Sequence, residues 1–280
     1  MNADDTKIDL PAYYKRIGYE QTQHTAATLE TLRALHALHP QAIPFENLDV
    51  LLGRPVRLDL ASVQRKLVTN ARGGYCYEHN LLFRRVLEAL GFRARGYAGR
   101  VLWGRDDPAM PPRAHMLLIV DLDEGPFLTD VGFGGMTLSA PLALKSGLEQ
   151  ITPHGAFRLD GIETGTMLPG YILNAYIDGD WKPVYRFDLD PQYDVDYEMS
   201  NHFVSTYPSS VFVNNLLAAR LAPGKRYGLF NRRLSVHDDR EGTSHRELKT
   251  IEELRRVLSE EFAIRLPDAA DLDGALARLP

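Results

Sequence analysis

Cys76 is the only cysteine of the chain, and it lies where a glycine-containing turn precedes a helical pattern. The apolar residues after it recur every three or four positions up to Gly91, which predicts one helix from Tyr75 to Leu90. A helix N-terminus favours the thiolate, which is the nucleophilic form of cysteine. A lone cysteine is more often a small buried hydrophobe. The Gly73-Gly74 turn and the residues further along the chain nevertheless favour a reactive thiol, and we interpret Cys76 as a nucleophile.

A cysteine nucleophile needs a base that takes its proton and a third group that orients the base. His115 begins the most apolar predicted strand, and Asp130 ends the next one. The hairpin between these strands would bring the two residues to neighbouring positions. Asp130 would then fix the tautomer of His115 and stabilise its imidazolium form, which would hold Cys76 as thiolate. These three residues form the predicted catalytic set.

His79 is an alternative base, because it follows Cys76 by three residues and shares its helix face. It is the weaker candidate, since Glu78 is the only acid in that turn that could orient its ring. Arg72, just before the turn, could hold a neighbouring loop or add positive potential. The sequence contains no histidine or cysteine pair with the spacing of metal ligands, so we expect no metal.

Glycines follow Asp130 closely, at Gly132, Gly134 and Gly135, with Phe133 among them. Such a loop can turn backbone N–H groups toward an anion, here a phosphate or a thioester oxygen. The loop lacks the lysine of a nucleotide-hydrolysing loop, so it does not predict nucleotide hydrolysis.

The composition is that of a globular protein with a hydrophobic core. The 280 residues are 44% hydrophobic and 25% charged, with a net charge of −5. This charge gives no footprint for nucleic acid. One cysteine cannot form an intramolecular disulfide, and no stretch is long enough to cross a bilayer. The N-terminus, Met1 to Asp9, is polar and has no apolar signal region, so we expect a cytoplasmic protein without a membrane partner.

Helical patterns dominate the first third of the chain, residues 1–92. Pro11 and Gly18 bound a short helix, and leucines at intervals of three predict a second one from Thr25 to Leu38, ended by His39-Pro40. The histidines of this segment, His24, His36 and His39, are interpreted as solvated polar-face residues. The remaining predictions are a turn-bearing connector at Ile43–Leu48, an extended segment at Val56–Leu58 and a helix capped by Asp59.

Strand patterns follow in residues 93–192. The candidates are Arg93–Trp103, Arg113–Leu122, Phe127–Val131, Phe157–Leu159, Tyr171–Ile177 and Trp181–Asp188. They predict an antiparallel sheet or small barrel, with a hairpin turn at Asp178-Gly179-Asp180.

The last third, residues 193–280, is predicted to mix helix and strand. Tyr193–Asn201 is acidic and indicates a mobile segment, whereas Tyr227–Val236 and Thr243–Leu248 are predicted to be extended. Thr250 and Glu253 fit a capping box, which predicts a final amphipathic helix.

The sequence resembles the arylamine N-acetyltransferase family over nearly its whole length. The matching segments are Pro44–Leu48, Arg72–Asn80, Ala114–Met116, Asp130–Gly134 and Ser205–Pro208. The resemblance implies an α+β fold with an N-terminal helical bundle, a central antiparallel β-barrel, a C-terminal α/β lid and a cysteine-protease-like catalytic core. It also implies that Cys76, His115 and Asp130 form a Cys-His-Asp triad.

The same resemblance implies acetyl-CoA as donor and arylamines, hydrazines or arylhydroxylamines as acceptors. Residues that match positions lining the acceptor pocket of similar enzymes are Phe45, Val101, Phe133 and Phe203. The loop from Gly132 to Gly135 matches one that lies near the CoA pyrophosphate. Acyl transfer would then proceed by a ping-pong mechanism through an acetyl-cysteine.

Other functions remain compatible with these residues. A cysteine hydrolase or transglutaminase-like enzyme would use the same triad with water or a lysine as acceptor. An amide synthase of the same superfamily would close a macrocycle from a carrier-bound chain. A binding or structural protein would not need Cys76 at all.

Overall fold

The computed structural model describes residues 7–20, 26–107, 109–162, 169–267 and 270–280. The helices in this part of the chain are α1 (Leu10–Ile17), α2 (Leu29–Ala42), α3 (Leu48–Leu51), α4 (Leu60–Gln64), α5 (Cys76–Ala89), α6 (Asp194–Thr206), α7 (Val211–Asn214), α8 (Ile251–Glu260) and α9 (Ala270–Ala277). A π-helical turn, Arg65–Thr69, continues α4. Among these residues we find no helix that combines the length and the apolar run required to span a membrane.

Two antiparallel sheets contain the strands. These are β1 (Phe45–Glu46), β2 (Arg93–Val101), β3 (His115–Leu122), β4 (Gly125–Thr129), β5 (Leu142–Ala143), β6 (Glu149–Thr152), β7 (Gly155–Ile162), β8 (Gly170–Ile177), β9 (Asp180–Pro191), β10 (Leu217–Ala222), β11 (Lys225–Phe230), β12 (Arg233–Asp238) and β13 (Gly242–Glu247). The larger sheet has the order β5-β4-β3-β2-β9-β8-β7-β6, and the smaller one β1-β10-β11-β12-β13.

The eight-stranded sheet curls into a nearly closed barrel. Its two edge strands are bridged by Gln150 of β6, whose amide donates to the carbonyl of Ala143 in β5 and accepts from the N–H of the same residue. The inside is filled by buried apolar side chains from seven strands and the loop after β4, among them Leu117, Leu173 and Phe187. The central antiparallel barrel that the family resemblance implies is therefore confirmed, and it decides between the sheet and the barrel that the strand patterns left open.

Helix α5 lies at the centre of the helical part and packs against β2 and β3. Its residues are buried almost all round over the first two turns, which is why its sequence is apolar or aromatic on more than one face. The turn before it needs glycine for space: a Cβ on Gly73 would overlap the carbonyl oxygen of Pro44. The predicted Tyr75–Leu90 helix is confirmed, with Cys76 as its first residue.

Several other local predictions are confirmed. Helix α1 carries proline in its first turn and ends at Gly18 in the left-handed conformation. Thr250 and Glu253 form the expected capping box of α8. The hairpin between β8 and β9 turns at Asp178 and Gly179, both with positive φ.

The prediction for α2 is wrong at both ends. The helix begins after Thr28 and continues through Pro40 to Ala42, so the His39-Pro40 pair does not end it. His39 and Pro40 are both buried, and packing of this last turn outweighs the local preference of proline against a preceding helical residue.

Two further expectations need correction. The supposed connector Ile43–Leu48 contains β1, which pairs with Ala218 and Ala219 of β10. Tyr227–Val236 is two strands rather than one, with a turn at Asn231.

The segment Tyr193–Asn201 is not a mobile stretch but the first part of α6. Its acidic residue Asp194 forms salt bridges with Arg84 and Arg85 of α5. Tyr197, on the same helix, is buried and donates a hydrogen bond to the carbonyl of Tyr97. The acidic composition therefore serves a contact between helices.

Candidate active site

The thiol of Cys76 lies at the N-terminus of α5, where the first backbone N–H groups have no partner within the helix. The side chain is 3% exposed, and its sulfur lies 3.9 Å from the carbonyl oxygen of Ala114. Gly132 packs directly against this turn, because a Cβ there would lie 3.1 Å from Cα of Cys76 and 2.8 Å from Cβ of His79. Only glycine allows so close an approach.

His115 and Asp130 meet as the hairpin predicted. Leu118 of β3 pairs with Thr129 of β4, and the same register carried one step further puts Asp130 opposite Leu117. Asp130 then shares a sheet face with His115, two residues along. The Nε2 atom of His115 lies 2.7 Å from Oδ2 of Asp130, and both residues are buried.

The carboxylate of Asp130 is held on its other side as well. Oδ1 accepts hydrogen bonds from the amide of Asn80 at 2.9 Å and from the N–H of Gly132 at 3.0 Å. Burial alone would raise the pKa of Asp130, but the charge of His115 and these hydrogen bonds lower it below its usual value. Asp130 is therefore an anion in the folded protein.

His115 is correspondingly a cation. Burial would lower the pKa of His115, but the charge and hydrogen bond of Asp130 and the side chain of Cys76 outweigh burial and raise the pKa to about 10. The ring contacts Phe133 and Tyr185, with centroid distances of 5.1 and 5.0 Å, and those two rings contact each other at 5.3 Å. The arrangement favours an imidazolium between a carboxylate and a sulfur atom.

A charged network supports the turn before Cys76. Arg72 donates to Glu46 at 2.7 Å and to Asp49 at 3.2 Å. Lys66 lies 2.7 Å from both Asp49 and Glu78, and Glu78 accepts the N–H of Tyr75 at 3.1 Å. Of the two roles foreseen for Arg72, these contacts support the holding of a neighbouring segment.

His79, the alternative base, has both ring nitrogens engaged elsewhere. Its Nδ1 atom lies 2.9 Å from Nε2 of His39, and its Nε2 atom lies 3.1 Å from the carbonyl oxygen of Pro44. Burial lowers the pKa of His79 to about 4, more than the hydrogen bond to Pro44 raises it. His79 is neutral and has no ring nitrogen left for Cys76.

The prediction that His36 and His39 are solvated is wrong. Both are fully buried, and the Nε2 atom of His36 accepts the backbone N–H of Asp130 at 3.3 Å. Burial lowers the pKa of His36 to about 4, only partly opposed by the charge of Asp130. His24 lies outside the described residues.

The glycine loop after Asp130 is fixed from two sides. The N–H of Gly134 donates to the hydroxyl of Thr137 at 2.7 Å, and Arg226 of β11 donates to the carbonyl of Gly135 at 2.8 Å. Since the N–H groups of Gly132 and Gly134 already have partners in the protein, an anion at this loop would have to use other donors or displace them.

The four residues expected around an acceptor occupy different surroundings. Phe133 contacts His115, and Phe45 stacks on His79 with a centroid distance of 6.4 Å. Gly99 of β2 lies opposite His115 of β3, and Val101, two residues further along β2, therefore shares the sheet face of His115. Phe203 of α6 is 40% exposed and stacks on Tyr207.

A cavity of about 190 Å³ adjoins His115. It lies between α5, the barrel and α6, and its lining includes Tyr77, Arg113 and Met199. Phe45, Val101, Phe133 and Phe203, all within the described part of the chain, do not line it.

Sequence reasoning missed the residues that hold the predicted set in place, chiefly Asn80, His36 and Tyr185. Asn80 binds the carbonyl of Met116 as well as Asp130, and a buried amide one turn after Cys76 was a signal that could have been used. No local pattern marks Tyr185, which reaches the site through strand pairing alone. In the part of the chain that the structure describes, no cluster of histidine, cysteine, aspartate or glutamate is arranged to hold a metal ion.

Comparison with known proteins gives consistent matches over most of the chain. A family model described as N-acetyltransferase matches residues 28–271. The arylamine N-acetyltransferase of Escherichia coli K12 is 42% identical over 258 residues, 92% of this chain and 89% of the relative. A Salmonella typhimurium relative, named arylamine N-acetyltransferase / N-hydroxyarylamine O-acetyltransferase, is 37% identical over 92% of this chain and 90% of its own length.

Solved structures agree with this result. The arylamine N-acetyltransferase of Mycobacterium marinum in complex with CoA superposes with a TM-score of 0.89 at 39% identity, covering 97% of this chain and 99% of the other.

Proposed function

Because this chain belongs to the arylamine N-acetyltransferase family, we propose that it transfers the acetyl group of acetyl-CoA to the nitrogen of arylamines and hydrazines, and to the oxygen of arylhydroxylamines, through an acetyl-cysteine at Cys76. The observation that carries this proposal is the buried His115–Asp130 pair next to a thiol at a helix N-terminus. The name of the Salmonella relative supports the oxygen acceptors, and the CoA complex of the Mycobacterium marinum enzyme supports the donor.

In the first half-reaction, the thiolate of Cys76 attacks the thioester carbonyl. The bond between the carbonyl carbon and the sulfur of CoA breaks, and His115 gives its proton to the departing thiolate. The unpaired N–H groups of the first turn of α5 are placed to stabilise the oxyanion of the tetrahedral intermediate.

In the second half-reaction, His115 acts as a base. Acetylation removes the negative charge of Cys76, which is one of the groups that raise the pKa of His115. The ring, having given up its proton to CoA, can therefore accept one from the attacking amine. The amine nitrogen forms the new bond to the carbonyl carbon, the bond between that carbon and the sulfur of Cys76 breaks, and the Cys76 thiolate is restored beside the protonated His115. An arylamine suits this step because its conjugate acid is weak, so it arrives neutral at pH 7.

We propose that Phe45, Val101, Phe133 and Phe203 contact the aryl ring and that the Gly132–Gly135 loop lies near the CoA pyrophosphate. Support for the acceptor side is strongest for Phe133, which contacts His115, and for Val101, which shares its sheet face. Support for the donor side is the fixed geometry that Arg226 and Thr137 give the loop.

We further propose the division of the chain into a helical part (1–92), a barrel (93–192) and an α/β lid (193–280), in a cytoplasmic protein. The barrel strands β2 to β9 all fall within the second part, whereas β1 of the first part completes the sheet of the third. A free thiol that must stay reduced fits a reducing compartment.

The test measures release of free CoA from acetyl-CoA with and without an arylamine. We expect one equivalent of CoA per enzyme without amine and continuous release with it. Continuous release without amine would instead indicate a hydrolase. Turnover only with a lysine side chain or a carrier-bound chain as acceptor would indicate a transglutaminase-like enzyme or an amide synthase.

A further inference from the structure

Helix α2 presents two buried imidazoles on one face, at His36 and His39. Residues three apart on a helix are neighbours on its surface. The two rings nevertheless reach different segments of the molecule. His36 contacts the backbone of Asp130, and His39 contacts His79, which lies three residues after Cys76 on α5.

The donor and the acceptor in each hydrogen bond of His39 are fixed by its neighbours. The carbonyl of Pro44 can only accept, so His79 donates to it from Nε2 and must accept at Nδ1. His39 then donates from Nε2 to His79 and accepts at Nδ1 from the hydroxyl of Tyr13, which lies 2.9 Å away. Each ring carries one proton, and every nitrogen of the two rings has a partner.

The contact of His36 fixes its state as well. The backbone N–H of Asp130 can only donate, so Nε2 of His36 must be an unprotonated acceptor. The same Asp130 is bound by Asn80 of α5 through its carboxylate. Asp130 is thus held by α2 at its backbone and by α5 at its side chain.

The charged groups around these rings do not offer a protonated ring an acceptor. Asp130 faces His36 with its N–H, although its charge raises the pKa of both His36 and His79. The charge of Arg16 lowers the pKa of His39, and the charge of Lys66 lowers the pKa of His79. Phe83 packs edge-on against both rings of α2, with centroid distances of 6.0 and 5.3 Å.

We propose that His36 and His39 are positioning residues: as neutral imidazoles on one face of α2, they hold Asp130 and the first turn of the Cys76 helix at a fixed separation. The link to acyl transfer rests on the proposed function. The effect on the reactivity of Cys76 does not depend on the proposed function. It arises from the position of the His115–Asp130 pair relative to Cys76, whichever acyl group is transferred.

The first experiment compares two amides at the same position, His36→Gln and His36→Asn. Glutamine can place an acceptor oxygen where Nε2 lies, whereas asparagine is too short. The readout is the rate of Cys76 alkylation by iodoacetamide as a function of pH, together with the rate of Cys76 acetylation by acetyl-CoA. We expect His36→Gln to stay within about twofold of the unmodified protein. His36→Asn should lose roughly tenfold in both rates near neutral pH, with the alkylation profile displaced to higher pH.

Leu35→Ala is the structural control, since Leu35 is a fully buried neighbour on α2 that makes neither contact. It should lower the melting temperature and leave the alkylation profile in place. The proposal is overturned if folded His36→Asn keeps the original profile, if His36→Gln behaves like His36→Asn, or if Leu35→Ala produces the same displacement. If the protein is not acetylated by acetyl-CoA at all, the proposed function fails, and the alkylation profiles still decide the positioning role.

A second pair of variants tests the His39 arm without altering either histidine. Tyr13→Phe removes the hydroxyl that donates to His39. Tyr14→Phe removes a neighbouring phenol hydroxyl that takes no part in the hydrogen bonds from Tyr13 through His39 to His79. We expect Tyr13→Phe to slow Cys76 acetylation by about threefold to tenfold and Tyr14→Phe to leave it unchanged. Equal rates in the two variants would refute this arm.

Discussion

The buried histidines of this protein fall into two groups, one positively charged and one neutral. His115 is 3% exposed and has a pKa of about 10, whereas His36 and His79 are fully buried and have pKa values of about 4. Burial opposes protonation in all three. The difference lies in the hydrogen-bond partner of a ring nitrogen. That partner is a carboxylate for His115, a backbone N–H for His36 and the neutral ring of His39 for His79. Partner chemistry, not depth, sets the charge of an imidazole.

Asp130 connects the two regions. Its carboxylate faces the cationic ring of His115, and its N–H faces the neutral ring of His36. One residue therefore separates a charged site, which we propose does the chemistry, from a neutral one, which we propose holds it in place. The predictions below would break or sharpen this contrast.

The largest effect is expected in the charged region. Cys76→Ala should abolish acetyl transfer, because no other residue can carry the acyl group through this mechanism. The measurement is CoA release in the presence of an arylamine, with circular dichroism to show that the variant is folded. Turnover above one hundredth of the original rate, a rough threshold for loss of a nucleophile, would refute the assignment.

His115→Gln and Asp130→Asn should cause the next largest loss of acetyl transfer after Cys76→Ala. Asparagine keeps the shape of Asp130 but no longer stabilises the imidazolium, and a loss of roughly 10³–10⁴-fold in kcat is expected. Tyr185→Phe, which leaves the ring beside His115 in place, is a milder comparison within the same site. A kcat for Asp130→Asn within about tenfold of the original would show that the pair has no catalytic role.

The two regions should also respond oppositely to pH. His36 and His79 have folded pKa values below the unfolded value of about 6.5, so the unfolded state binds more protons between pH 6.5 and 4 and stability falls as the pH falls. Each of these two histidines should lower the free energy of unfolding by about 2 kcal/mol between pH 6.5 and 5. His115 behaves in the opposite sense: its contribution is complete below pH 6.5 and is lost as the pH rises through about 10.

Urea unfolding at a series of pH values checks this expectation. His79→Gln should flatten the slope between pH 5 and 6.5, whereas His115→Gln should leave that slope and change the one between about pH 6.5 and about pH 10. An unchanged acid slope in His79→Gln would mean that this ring is not neutral in the folded protein.

The smallest effect concerns the contact between the glycine loop and α5. Gly132→Ala would push a Cβ against His79 and Cys76, and we expect a loss of about 1–3 kcal/mol in the free energy of unfolding. Gly135→Ala is the matched control, because its added Cβ would meet nothing within 4 Å. Equal stability of the two variants would show that the close packing against Cys76 is not a constraint.

The charged region could be predicted from sequence because its signals are local. A glycine turn before a helical pattern marked Cys76, and two short strands joined by a tight turn placed His115 near Asp130. The resemblance to a family added the barrel, which strand patterns alone left open between a sheet and a barrel.

The neutral region could not be predicted, because its signals are non-local. Histidine on an amphipathic helix is ordinarily exposed, and only a partner 94 residues away makes a buried His36 acceptable. The same holds for α6, whose acidic start is explained by Arg84, 110 residues earlier in the chain. Such contacts leave no trace in the periodicity of either segment.

The most direct test of the acyl-cysteine mechanism is the intact mass of the protein after mixing with acetyl-CoA and no acceptor. We expect a single acetyl group, located on Cys76 by peptide mapping and lost when an arylamine is added with formation of the acetylated amine. An unmodified protein that still acetylates the amine, or an acetyl group on any residue other than Cys76, would contradict the mechanism.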